Sequence, residues 1–574
     1  MLNTNKLKVI IILTISYLTN LIVTFKFTSI TVGVNDDEFF EQLVSGLFTG
    51  YPEAYTHIAP ASPQWFFGFL TSRLYLINNN LSWYYIFLAF SVITSLFCIN
   101  YLIWVDNFIQ PIFKISILLI NTYSIYWYIS SPTYTSASFF MAFAGLFLYV
   151  YKLNRNSKGF KIEILSSIFL AISLSTRTES FIAAILLISP IVFANVFMSN
   201  TKLRQKIISS LLVFVPVLVI FFVNFSVDKY YSTKTDWKIY QEFNDARYRI
   251  QDNELERIIS SNLQKTNWSE ERFKLFDSYN FVDFNSFNGE ELNNLIKDVN
   301  YKESKISINI NDLINRWKTY ANYFIYTFFG SIILIIYSIV FQLTEKHKLK
   351  SRIFSTLIFT IFICIWIFIV VYITTYLRLP ERIVYPILST LIYGTVLFEF
   401  RNLYLRSVRS ETLPRKILQI SASLLIFVGI GIDYHKVFIH RSNPAYLSFW
   451  SEQKISLLEI NKNKILIGNA SQVKSIWSNP YTVNKESREL NFLPLGWYTF
   501  SPYWNIRAEK LGLESKSILI ELNRNPNCYW LSDDEYTGYL INFNLEINGT
   551  ALKSEKILNK TFDFGDYSVY KFTH

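Results

Sequence analysis

Cysteine, histidine and methionine are nearly missing from this chain: its 574 residues hold three Cys, five His and three Met. Three thiols build no disulfide framework. Cys98 and Cys364 fall inside apolar runs, which leaves Cys528 alone among the polar stretches. No Cys/His spacing fits zinc, and there is no HExxH, P-loop, dinucleotide-binding glycine fingerprint or serine elbow, so several enzyme classes lose support. Charge is scarce as well: Asp, Glu, Lys and Arg make up only 17%. The net charge of +11 is dispersed over short linkers rather than gathered in a patch, so nucleic acid is not an expected partner.

What the chain has is apolar surface. It is 51% hydrophobic and 18% aromatic, with a mean hydropathy of +0.24. The apolar residues come in blocks of about 20, the length a helix needs to cross the hydrocarbon core. The first, "KVIIILTISYLTNLIVTF" (Lys8 to Phe25), follows Lys6; it is too long for a signal peptide and precedes no small-residue cleavage site, so it reads as a signal anchor. Further blocks lie near 84–104, 112–130, 136–151, 162–177, 180–198, 207–227, 320–342, 353–376, 383–400 and 417–434. Together they predict a polytopic α-helical membrane protein of about eleven transmembrane helices. The alternating pattern of a transmembrane barrel is not seen.

Orientation follows from the linkers. With the N-terminus inside, the even-numbered linkers are cytoplasmic: "YKLNRNSKGFK" (151–161), "MSNTKLRQK" (198–206), "EKHKLKSR" (345–352) and "RNLYLRSVRSETLPRK" (401–416). All four are rich in Lys and Arg, as the positive-inside rule requires. The linker at 105–111 is weak, with Asp106 and no cation before Lys114. The loop 29–83, the segment 228–318 and the tail after about 435 then share the outer face. The expected organisation is membrane domain (1–227), outer helical insert (228–318), second membrane part (319–434) and outer C-terminal α+β domain (435–574). The abundance of Asn, Ile, Lys, Tyr and Phe has the look of an AT-rich bacterial genome, and the plasma membrane is the expected location.

The outer parts carry the candidate chemistry. Just beyond the first block stands "VNDDEFFEQLVSGLF". Phe39, Phe40, Leu43, Val44, Leu47 and Phe48 recur at helical spacing, which predicts a short amphipathic helix lying in the membrane interface. Asn35 or Asp36 could cap it, and acids in its first turn favour the helix dipole, so capping alone accounts for one or two of Asp36, Asp37 and Glu38. In the insert, Leu292, Leu295, Ile296 and Val299 mark an amphipathic helix, with Asn288 and Glu291 in a capping arrangement. Arg247 and Arg249 read as a solvated face. In the tail, 464–469, 517–522, 538–549 and 566–572 read as strands, the third closing at an Asn-Gly turn. The stretch "LGWYTFSPYWN" (495–505) gathers Trp497 with other rings suited either to stacking on sugars or to a core. Arg177 in "STRTES", and Arg378 and Arg382 in "YLRLPERIVYP", sit at rim turns, where the guanidinium fork suits phosphate oxygens. Pairing with Glu179 or Glu381, or snorkelling to headgroups, is the structural alternative.

An acidic first outer loop, about eleven spans, rim arginines and an outer C-terminal domain together resemble the GT-C class of integral-membrane glycosyltransferases. The stretches "SGLFTGYPEAYTHI" and "LYLINNNLSWYY" also resemble uncharacterised membrane proteins of bacterial surface-polysaccharide loci. The resemblance covers residues 1–434. It implies a polyprenyl-phosphate-linked sugar as donor, a glycan or lipid-linked acceptor, membrane lipids as surroundings and chemistry on the outer face. It places the base or metal-linked acid at Asp36 or Asp37, with Glu38, His57, Arg177, Arg378, Arg382 and Trp497 as substrate contacts. It leaves room for a divalent cation, Mg or Mn, although "SSPTYTS" (130–136) lacks the second acid that many members carry there. A surface-polysaccharide polymerase and a lipid-linked sugar flippase are the competing expectations; a flippase should show internal repeats and mid-membrane polar groups, and neither stands out.

Overall fold

Apolar sequence without water to bond must satisfy its own amides, and the long runs do so as helices. The computed structural model describes residues 4–27, 30, 35–59, 62–105, 111–155, 159–199, 201–251, 255–299, 349–376, 464–469, 481, 491–550, 552–562 and 565–573, with isolated positions between 383 and 435. The first helices are α1 (Thr4–Phe27), α2 (Asn35–Ser45), α3 (Trp65–Ile77), α4 (Trp83–Val105), α5 (Pro111–Ser130), α6 (Tyr134–Arg155), α7 (Lys161–Thr176), α8 (Thr178–Met198), α9 (Leu203–Ser232) and α10 (Thr235–Gln251). Among the described residues five helices are long and apolar enough to cross a membrane, within α1, α4, α6, α8 and α9. The chain is therefore a multi-pass membrane protein. The expected blocks at 320–342 and most of 383–400 and 417–434 lie outside the described residues, as do Arg378 and Arg382.

The bundle is built round α6, whose spanning window is 94% buried, whereas those of α1 and α9 are only 22% buried. Ile15, Ile22, Leu218 and Phe222 stand exposed on those two outer helices, apolar groups that lipid can cover. α6 packs against α4, α7 and α8. A buried ion pair, Lys152 to Glu163 at 2.9 Å, ties α6 to α7, and Ser209 of α9 donates to the same carboxylate at 3.0 Å.

Two elements of the first loop position the candidate site. α2 forms where the acids and the apolar periodicity placed it, with Asp36, Asp37 and Glu38 in its first turn. Its apolar face is covered by protein rather than open to lipid as expected: Phe39, Phe40, Leu43, Val44 and Phe48 are buried. The reason is the tail, whose Tyr498 ring stacks on Phe39 at 3.9 Å. α2 ends at Gly46, where φ is +79° and a Cβ would lie 2.7 Å from the Pro52 nitrogen, so the chain folds back directly beneath the helix. α3, apolar but only 13 residues long, follows and leads into α4.

The insert is helical, as expected. It continues from α10 through α11 (Leu255–Ser261), α12 (Glu270–Asp277), α13 (Phe284–Phe287) and α14 (Gly289–Asp298). Asn288 caps α14 by accepting from the Glu291 amide, and Leu292 and Leu295 are buried. Arg247 corrects the solvated-face expectation: it is buried and donates to Asn244 and Gln251, whereas Arg249 is exposed and bonds Asn293.

The tail forms a mixed five-stranded sheet in the order β2-β1-β3-β5-β4. Its strands are β1 (Ile465–Asn469), β2 (Phe492–Leu495), β3 (Cys528–Ser532), β4 (Lys553–Phe562) and β5 (Gly565–Thr573). β1 runs parallel to β2 and β3, and β5 antiparallel to β3 and β4. Two expected strands are helices instead, Ile518–Arg524 and Asp534–Asn548. In the second, Thr537, Leu540 and Asn544 are buried at helical spacing, Asp533 caps the start, and Gly549 at φ +65° ends the helix where a hairpin turn was expected.

Candidate active site

Asp37 is fully buried. Its Oδ1 accepts two hydrogen bonds, from the Tyr84 hydroxyl at 2.8 Å and from the Tyr134 amide at 2.9 Å. Tyr134 opens α6, so its N–H belongs to the set that a helix start leaves without an intrahelical partner. The expected capping role thus exists, but for another helix, and the positive end of the α6 dipole faces the carboxylate. Asp36, half-buried, accepts from the Trp497 indole N–H at 2.9 Å. Glu38 is buried beside Gln42, whose amide donates to it at 3.4 Å. Burial, with the charges of Glu38 and Asp36 adding to it, pushes the Tyr498 phenol well above its ordinary range, so this ring stays neutral beside the acids.

Arg177 joins this group through Tyr134. It occupies the extended residue between α7 and α8, its guanidinium 5.2 Å from the Tyr134 ring centroid and bonded to the Thr135 hydroxyl. Glu179, the expected partner, is 3.8 Å away and half exposed, so that pair is loose. One residue, Tyr134, therefore holds the carboxylate by its amide and the cation by its ring. The turn that lacks the second acid supplies these two contacts in its place.

Trp497 lies beside the acids, where its ring packs edge-on against Phe39 at 5.5 Å and its indole N–H is engaged by Asp36. His57 goes elsewhere. Its Nδ1 lies 2.7 Å from Asp228 near the end of α9, while neighbouring Tyr55 stacks on Tyr231 at 3.7 Å.

Tyr84, Tyr134, Thr135, Tyr75 and Glu41 belong to the site and were not singled out from sequence. Glu41 is the one that left a signal: with Asp37, Phe40 and Val44 it makes a single buried i, i+3, i+4, i+7 stripe along α2.

A divalent cation would need several converging anionic ligands. Among the described residues no group of three or more His, Cys, Asp or Glu side chains could hold a metal ion. Asp37 Oδ1 already accepts two hydrogen bonds.

No family model matches this chain, and no curated protein matches it. Among solved structures it is similar to the Archaeoglobus fulgidus oligosaccharyltransferase in the apo form, at 12% identity and a TM-score of 0.44, over 92% of this chain and 69% of that one. It is also similar to ArnT from Cupriavidus metallidurans, at 8% identity in both cases: in the apo state with a TM-score of 0.46 (98% of this chain, 97% of that), and bound to undecaprenyl phosphate with a TM-score of 0.44 (97% of each).

Proposed function

We propose that this protein is a membrane glycosyltransferase that moves a sugar from a polyprenyl-phosphate carrier to a hydroxyl of a surface glycan or lipid-linked acceptor. The observation that carries the reading is the convergence on Tyr134: an oriented carboxylate, Asp37, and a cation, Arg177, held by the same residue.

Such a transfer needs both groups. Asp37 takes the proton of the acceptor hydroxyl as the acceptor oxygen bonds to the anomeric carbon of the donor sugar. The bond between that carbon and the phosphate oxygen breaks, and the phosphate leaves with the electron pair. Arg177 meets the negative charge that develops on it. The products are the glycoside and the free polyprenyl phosphate, and Asp37 then returns its proton to water. An acceptor must displace part of what covers Asp37, since the carboxylate is fully buried in this arrangement. Asp36, on the side open to solvent, fastens the tail to the start of α2 through Trp497.

The reaction belongs to the outer face, where the positive-inside pattern places α2, the insert and the tail. Paired variants test it. Asp37→Asn should abolish transfer at normal folded yield, and Asp36→Asn, which keeps an acceptor for Trp497, should not. Wild-type transfer by Asp37→Asn removes Asp37 as the base.

A further inference from the structure

Glu41 is a buried acid with no part in the reaction just described. It lies one helical turn after Asp37 on the same face of α2 and is 8% exposed. Burying a carboxylate is costly unless donors meet it. Its Oε1 accepts from the Tyr75 hydroxyl of α3 at 2.9 Å and from Ser82 at 3.4 Å. The Tyr75 oxygen in turn accepts the Tyr84 amide, near the start of α4, at 3.2 Å. Tyr84 then donates its own hydroxyl to Asp37.

These bonds form a closed circuit: from α2 by Glu41 to α3, from α3 by Tyr75 to α4, and from α4 by Tyr84 back to α2 at Asp37. Each hydroxyl is used once as donor, so the direction of every proton in the circuit is set by the acid at its end. Burial and the Glu41 charge keep the Tyr75 phenol well above its ordinary range, so it remains a donor. A leucine at 41 would fill the same space without fixing where α4 begins.

We infer that Glu41 is a positioning residue: through Tyr75 it sets the height of the α4 N-terminus, and so aims the Tyr84 hydroxyl at Asp37. This rests on the reading of Asp37 as the base. Tyr75 is the second member of the device, and the side chain that touches the base is Tyr84 alone among the three.

The test is steady-state transfer by the purified full-length chain in nanodiscs. The donor is the member of a panel of undecaprenyl-phosphate sugars that wild type uses fastest, and binding of undecaprenyl phosphate alone is measured beside it. Glu41→Ala and Tyr75→Phe should each lower kcat by about 10-fold or more, the scale of a misplaced reacting group, with donor KM and undecaprenyl phosphate binding unchanged. Glu41→Gln keeps an oxygen for Tyr75 and should recover to within about 5-fold of wild type, since a neutral acceptor retains about half of such a bond. Wild-type kcat in Glu41→Ala or Tyr75→Phe overturns the inference. So does a loss carried by KM or by carrier binding, or Glu41→Gln no better than Glu41→Ala. If Glu41→Ala does not fold, Tyr75→Phe and Glu41→Gln decide the matter, because each changes only one or two atoms. Asp37→Asn run in parallel separates the two levels: full activity there removes the base, whatever Glu41 does.

Discussion

Replacing Asp37 by Asn changes charge and little else. The Asn Oδ1 can still accept from Tyr84 and from the Tyr134 amide, now at 2.8 and 2.9 Å from the carboxylate oxygen. Bonds to a charged group contribute about 1.5–3 kcal/mol and neutral ones about 0.5–1.5, so two weakened bonds cost about 2 kcal/mol together. Removing a fully buried charge offsets part of this, because its desolvation penalty of several kcal/mol also disappears. The variant should therefore fold and express near wild-type level. Its chemistry should not survive: loss of a general base costs about 100-fold or more in rate, about 2.7 kcal/mol of barrier. The assay is transfer per folded molecule, with folded yield read by size-exclusion chromatography. Transfer reduced less than 10-fold at normal yield would leave Asp37 as a cap of α6 and nothing more.

Arg177→Gln should weaken use of the lipid donor by about 10- to 100-fold, the loss of one charge-assisted phosphate contact, with protein level unchanged; unaltered donor KM and kcat would return Arg177 to its structural contacts with Thr135 and Tyr134. A reporter fused after residue 440 should be active only outside the cytoplasm and one near 348 only inside, as the linker charges require; a cytoplasmic tail would place Asp36 and Trp497 on opposite sides and contradict their contact. Glu53 tests pH dependence: burial raises its carboxyl above the ordinary value against the opposing pull of Thr49, Lys510 and Tyr503. The folded state then holds this proton more tightly than the unfolded chain, so stability from Glu53 is lost as pH rises through the carboxylate range. Glu53→Gln should raise the unfolding temperature at pH 7 and leave it unchanged near pH 4; an equal shift at both would refute the burial argument.

Much of this was legible because it is local. Acids followed by Phe39, Phe40, Leu43 and Val44 announce α2, and Asn288 announces the start of α14. β1 and β5 came from short apolar runs of the expected kind. The misreadings share a cause. In "YLINFNL", β-favouring residues suggest a strand, yet burial of Leu540, Phe543 and Asn544 makes a helix, tertiary packing overriding propensity. Arg247 could not be told from Arg249 without knowing which face of α10 meets the core. Asp36 and Asp37 were singled out because acids beside a membrane span stand out. Tyr75, Tyr84 and Tyr134 were not, since they come from three different helices of a chain with 38 tyrosines, and only the fold brings Tyr84 and Tyr134 to Asp37 and Tyr75 to Glu41.

The most direct measurement is product analysis with purified wild-type protein in sealed proteoliposomes, supplied with undecaprenyl-phosphate sugars and a hydroxyl acceptor glycan. A glycosyltransferase must release free undecaprenyl phosphate in equal amount to the glycoside formed, seen by mass spectrometry, and must lose both products together in Asp37→Asn. Movement of intact lipid-linked sugar across the bilayer with no cleavage of the sugar–phosphate bond would make the protein a transporter and contradict the assignment.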